Sequence, residues 1–182
     1  MNVAVKNFRL AGSSISVALS WKKNPDFQIH SIDISMGKAV FPCPELVEGK
    51  PPINRRVETR HTCAEVDKYF SAIDSWFKGA ARDLPTDNIF LERLSPFQKN
   101  ILCELRSKVP AGKTISYGGL AKLAGYQGAA RAVGTVMSSN PFPLVFPCHR
   151  VIRSDGSVGC FQGGEKGIPL KKALLENEGV IK

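Results

Sequence analysis

Apolar residues alternate with small or polar ones through SISVALSW, where Ile15, Val17, Leu19 and Trp21 share one face, and again through SIDISM with Ile32, Ile34 and Met36. A period of two is that of a half-buried strand, so two strands that pair with each other are predicted. From Ala64 the period changes. Val66, Tyr69, Phe70, Ile73, Trp76 and Phe77 recur at three and four residues, the spacing of an amphipathic helix. Between these segments, residues 41–60, FPCPELVEGKPPINRRVETR, are rich in proline and charge, show no clean period, and read as a long surface excursion. Residues 1–80 therefore form a small α/β domain on this reading.

KGAARDLPTDN follows, with Gly79 ending the helix and Pro85 in a polar stretch, and residues 81–94 read as a linker. SPFQKNILCELRSKVP then carries a strong helix start: Ser95 as N-cap, Pro96 at the first helical position and Gln98 completing a capping box. Phe97, Ile101, Leu102 and Leu105 are its expected buried stripe, and Cys103 reads as structural. Two short helices come next, SYGGLAKLAG, capped by Ser116 and stopped by Gly125, and GAARAVGTVMSSN, which ends ahead of Pro141. Short helix, turn, short helix is a helix-turn-helix candidate. VIRSDGSVG reads as a hairpin turning at Asp155-Gly156, a candidate wing, and IPLKKALLENEG as a closing helix ended by Gly179. Residues 95–182 make the second domain.

With 43% hydrophobic residues in 182, the chain has ample material for a packed core. No apolar run approaches the roughly 18 residues of a membrane span, and MNVAVKNFRLAGSSIS lacks the apolar core of a secretory signal, so a cytoplasmic location is expected. Five cysteines without a CxxC pair do not suggest a disulfide framework. The net charge of +9 is unevenly spread. Residues 1–94 hold 13 Lys and Arg against 11 Asp and Glu, whereas residues 95–182 hold 12 against 5. A basic second domain is what a phosphate-binding surface requires.

Two features within that domain carry chemistry. Around Arg131 the side chains are tiny: Ala129, Ala130, Ala132 and Gly134. A small-residue face lets a helix approach a widened minor groove, with the lone arginine as the one long probe able to enter the base stack; tight helix packing is the other use of such a face. FPCHRV sets Cys148 beside His149, the one histidine of residues 95–182. A thiol near its reference pKa of about 8.5 needs a base or positive surroundings to become nucleophilic, and Glu176 or Glu178 is near enough in the last helix to orient the imidazole. An inert buried thiol and a metal ligand are the alternatives, though adjacent Cys and His are a poor chelating pair. His61 with Cys63 is a weaker pairing of the same kind, and Cys160 has no assigned role.

The order ISYGGLAKLAG, ARAVGTVM, NPFPLVFPCHRV, DGSVG and KKALLENEG, spanning nearly all of residues 95–180, resembles the O6-alkylguanine-DNA alkyltransferases, the methylated-DNA–protein-cysteine methyltransferases. The resemblance implies an α/β N-terminal domain, with a small ribonuclease-H-like sheet plus helix, followed by a mainly α winged-helix/helix-turn-helix domain. It implies irreversible, stoichiometric transfer of the alkyl group of O6-alkylguanine, and of O4-alkylthymine, to Cys148. His149 then acts through water as base, Glu178 orients it, Asn140 holds the active-site turn, and Tyr117 contacts the target nucleotide and helps neutralise the departing guanine. Arg131 fills the gap left by the flipped base, and Ser116, Tyr117, Ala129, Ala130, Ala132 and Gly134 contact DNA. Val151, Gln162, Gly163 and Pro143 form the substrate pocket. Gln162 stands where the family often has serine, which narrows the room for bulky alkyl groups. Double-stranded DNA is the implied partner of a monomer, with no cofactor, no metal and no membrane.

Overall fold

A computed structural model of the chain describes residues 2–23, 26–37, 63–162 and 164–181. The 41–60 excursion and His61 lie outside the described residues. Three antiparallel strands open the fold in the order β1 (Asn2–Leu10), β2 (Ser13–Lys23), β3 (Phe27–Met36). The predicted pairing of β2 with β3 is present, Val17 facing Ile34 and Leu19 facing Ile32. β1 is the strand that the hydrophobic pattern did not disclose. The face toward α1 carries Ala4, Phe8 and Leu10, all buried, and Lys6, which stays exposed and breaks the alternation. The Lys6 ammonium lies 5.8 and 5.9 Å from the ring centres of Phe8 and Phe70, so a charged residue occupies an aromatic-facing slot. Ala11 and Gly12, with φ of 47° and 78°, close the β1–β2 hairpin in the left-handed geometry that matches strand twist.

Helix α1 (Ala64–Phe77) buries the six residues that its period predicts and packs across β1, with Phe8 against Phe70 and Phe77 at 6.3 and 5.2 Å between ring centres. The outer edge of β3 is covered. Ile29 exchanges main-chain hydrogen bonds with Asn88 and Phe90, and Ile32 N–H donates to Pro141 O at 2.8 Å. The Tyr69 hydroxyl donates to Asp87 O, and Leu84 is buried. Residues 81–94 thus lie against the sheet while leading to α2.

Helix α2 (Pro96–Lys108) starts with the expected capping box: Gln98 N–H donates to Ser95 Oγ at 3.2 Å, and Ser95 N–H to Gln98 Oε1 at 3.0 Å. Ile101, Leu102 and Leu105 are buried, while Phe97 is only half-buried, edge-on to Tyr126. Cys103 is exposed, against the structural role expected of it, because it falls off the apolar stripe. Helices α3 (Tyr117–Leu123), capped by Ser116, and α4 (Ala130–Ser138) follow, and α5 (Ile168–Asn177) closes the fold before Gly179 at φ 73°.

The hairpin expected over VIRSDGSVG does not form. Its first residues, β5 (Val151–Ile152), instead pair in parallel with β4 (Ile115–Ser116). Asp155-Gly156 does lie in a tight turn, with Arg153 N–H donating to Ser157 O and Ser157 N–H to the Asp155 carboxylate, but residues 157–160 are irregular. β5 ends after two residues, at Arg153, and its one ladder partner among the described residues is β4. No helix among the described residues is long and apolar enough to cross a membrane.

Replacing the N-cap, Ser95→Ala, orphans the Gln98 amide and is expected to lower stability by about 1 kcal/mol. Urea unfolding followed by circular dichroism checks this, and an unchanged midpoint contradicts it.

Candidate active site

Cys148 opens a single 3₁₀ turn, Cys148–Arg150, reached through the loop Asn140–Pro147. Two polar side chains set the shape of that loop. Asn140 Nδ2 donates to Phe146 O at 2.9 Å, while its Oδ1 accepts from Phe142 N–H at 3.0 Å. From α2, Arg106 donates to Val145 O at 2.6 Å and to Leu84 O at 2.7 Å. Within the loop Leu144 adopts φ 69°, a left-handed conformation costing a non-glycine residue about 1 kcal/mol or more. Burial of its side chain and the two polar clamps hold it there.

Cys148 is 4% exposed and lines a cleft of about 140 Å³ together with Tyr117, Gly134, Met137, Ser138, Cys160, Phe161 and Gln162. Burial pushes its thiol pKa up, against the downward pull of a hydrogen bond from Asn140 and the charge of Lys171. Lys171, on α5, is itself buried, donates to Val151 O at 2.5 Å, and lies 5.9 Å from the centre of the Tyr117 ring. Burial lowers its ammonium to about 8. The Tyr117 hydroxyl is raised by burial and by the two cysteines, so it stays a protonated donor at neutral pH.

Behind the thiol, His149 is fully buried. Its Nε2 lies 3.1 Å from Glu178 Oε1, and since a carboxylate only accepts, Nε2 carries the proton and Nδ1 is the free lone pair. Nδ1 is buried without a hydrogen-bond partner among the described protein atoms. Glu178 also receives the Arg150 guanidinium on both oxygens, Nε at 3.1 and 3.0 Å and the terminal amino group at 2.8 Å. Arg150 is anchored in turn by Val109 O at 2.9 Å and by the Arg82 carbonyl and Asp83 carboxylate. Because Arg150 offsets the carboxylate charge, burial decides the titration of His149 and lowers its pKa, while the two partners hold Glu178 down at about 2. Trp76 of α1 closes the array, edge-on to the imidazole at 5.7 Å and 77°.

Of the residues expected to form the site, Cys148, His149, Glu178, Asn140, Tyr117, Gly134 and Gln162 come together. Glu176, the other candidate to orient the histidine, is not its partner. Arg131 is exposed at the start of α4, and its spacing from Gly134 and Ser138 puts it on the helix face that reaches the cleft. Ala132 is exposed, Ala129 and Ala130 are half-buried, and the Ser116 hydroxyl is used in capping α3. Val151 and Pro143 do not line the cleft: both are buried, and Val151 offers its carbonyl to Lys171. Gly163 lies outside the described residues. Sequence reasoning missed Arg150 and Lys171, which read as part of the general positive charge, and also Trp76, Cys160 and Phe161.

Glu178 titrates near 4.5 unfolded and near 2 folded, so its contribution to stability is complete above pH 4.5 and fades as pH falls toward 2. The wild type is expected to lose up to about 3 kcal/mol over that window. Glu178→Gln removes this titration and flattens the acid limb of the stability curve, measured by urea unfolding at each pH; parallel limbs contradict the assignment.

Residues 96–180 match the family model described as 6-O-methylguanine DNA methyltransferase, DNA binding domain. The methylated-DNA–protein-cysteine methyltransferase of Mus musculus is 50% identical over 84 residues, 46% of this chain and 39% of that one. The protein of the same name from Methanothermobacter thermautotrophicus is 41% identical over 115 residues, 63% of this chain and 62% of that one. The chain thus spans less than two thirds of the length of either relative. The fold is shared over nearly the whole chain with Mycobacterium tuberculosis OGT, solved in complex with DNA, at a TM-score of 0.69 and 23% identity, covering 98% of this chain and 92% of that one. Residues 96–180, which hold the whole Cys148–His149–Glu178 array, are thus similar to the DNA-binding domain of the 6-O-methylguanine DNA methyltransferases.

Proposed function

We propose that this chain repairs O6-alkylguanine in duplex DNA, and O4-alkylthymine as a second substrate, by moving the alkyl group irreversibly onto Cys148. The observation that carries this reading is a buried thiol at a small cleft, backed by a histidine whose free nitrogen is a neutral base. His149 takes the thiol proton through a water, and the thiolate sulfur attacks the alkyl carbon as the carbon–O6 bond breaks. The departing guanine gains a proton, with the Tyr117 hydroxyl stabilising its charge. Proton and electron counts then balance without a cofactor or metal. A thioether is a poor leaving group, so each molecule acts once.

On the same reading the first sheet with α1 is ribonuclease-H-like, and α3 and α4 are the helix-turn-helix of a winged-helix domain. α4 enters the minor groove on its small residues, Ala129, Ala130, Ala132 and Gly134, with Ser116 and Tyr117 alongside. Arg131 fills the stack after the nucleotide is extruded, which costs a few kcal/mol and least where pairing is already damaged. Lys166, Lys172 and other cations of the basic half supply sequence-independent phosphate attraction. The chain acts as a monomer in the cytoplasm. Gln162, exposed at the cleft with φ 50°, narrows the room for large alkyl groups.

Incubation with duplex DNA carrying one O6-methylguanine, followed by tryptic peptide mass spectrometry, tests the reading. One methyl group on peptide 132–150, saturating at one per molecule and absent in Cys148→Ala, is expected. His149→Ala is expected to slow the transfer by about 10²–10⁴-fold. DNA that binds but keeps its methyl group contradicts the proposal and leaves a damage-binding module.

A further inference from the structure

The cleft holds a second thiol. Cys160 lines it with Cys148, on the opposite side in exposure: Cys148 is buried and Cys160 is exposed. Tyr117 lines the same cleft, its hydroxyl 3.5 Å from where a Cβ on Gly159, the residue before Cys160, would be. Both sulfurs also lie close enough to Tyr117 and to Lys171 to act on their titration, so the same two side chains neighbour both thiols. Cys160 sits in the irregular stretch 157–160, between left-handed backbone positions at Gly159 (φ 71°) and Gln162 (φ 50°). Among the described residues its own N–H and C=O make no main-chain hydrogen bond. A disulfide requires Cα atoms within about 7 Å, and backbone this lightly anchored can adjust to meet that distance.

We propose that Cys160 is a resolving thiol for Cys148, closing a reversible disulfide across the cleft when the protein meets a peroxide. The exposed sulfur is attacked first: Cys160 thiol and hydrogen peroxide give the sulfenic acid and water. The Cys148 sulfur then attacks that sulfur, the S–S bond forms, and a second water leaves carrying the hydroxyl and the remaining proton. Two thiols are oxidised by two electrons and one peroxide is reduced to two waters. A thiol reductant reverses the bond by exchange. The consequence rests on Cys148 being an alkyl acceptor: a thiol used once is lost for good by over-oxidation, whereas a disulfide stores it.

The full-length protein is treated with hydrogen peroxide and digested with trypsin without reduction. Cleavage at Arg150 and Arg153 separates the two cysteines, so the bridge appears as peptides 132–150 and 154–166 joined, at their summed mass less two hydrogens. Each protein's methyl-acceptor capacity is then measured after peroxide and dithiothreitol, relative to its own untreated value. The wild type is expected to recover most of its capacity, and Cys160→Ser to lose it with sulfinic or sulfonic acid on Cys148. Absence of the joined peptides, or equal recovery by both proteins, overturns the proposal. The peptide map reads the bridge whether or not methyl transfer occurs, so failure of the repair reading is told apart from failure of the pairing.

Discussion

One buried ion pair governs the chemistry of this fold. Arg150 and Glu178 meet through two nitrogens and two oxygens, both nearly sealed from solvent, directly beside His149. Removing one partner of such a pair leaves an uncompensated charge and costs about 3–5 kcal/mol. That makes the pair rigid, and it has an electrostatic consequence. The carboxylate orients the imidazole by accepting from Nε2, yet its charge is already met by the guanidinium, so it does not draw a second proton onto the ring. Orientation and charge state are thereby separated: Glu178 supplies the first, and burial beside a neutralised pair keeps the ring neutral with its Nδ1 lone pair free.

The same pair ties the site to the rest of the molecule. Arg150 reaches back to Val109 at the end of α2 and to residues 82–83 ahead of it, and the Trp76 ring of α1 walls the histidine. Asn177, next to Glu178, donates to Trp76 O at 3.2 Å. Pro141, at the start of the Cys148 loop, accepts from β3. The N-terminal sheet and helix therefore hold the backs of both the nucleophile and its base, while the cleft opens on the side of α3 and α4. The thiol can be dry while its cleft opens beside α3 and α4.

Elements with uninterrupted local signals were legible in the sequence. The six-residue stripe of α1 and the capping box of α2 are local patterns, and each appears where its spacing puts it. β1 was hidden because Lys6, on the face toward α1, keeps its charge exposed over the Phe8 and Phe70 rings and interrupts the apolar alternation. In place of the hairpin expected over Val151–Gly159, β5 makes a non-local pairing with β4, some 36 positions earlier in the chain, which no local pattern announces. At the site, Cys148 and His149 announced themselves by adjacency, and Glu178 by family resemblance. Arg150 did not, because a basic residue in a basic domain looks like a DNA contact until its burial is known. Lys171 was likewise brought beside Tyr117, and Cys160 to the cleft, by tertiary packing, not by any spacing in sequence.

The most direct measurement of the central arrangement is the titration of the His149 imidazole by nitrogen-15 NMR, with Arg150→Met measured beside the wild type. A neutral ring with the proton on Nε2 that persists below pH 6.5 in the wild type, and whose protonation moves to higher pH when Arg150 is lost, is the expected result. A wild-type His149 that is charged at or above pH 6.5, or protonated on Nδ1, contradicts the assignment of this histidine as a neutral base held by a neutralised carboxylate.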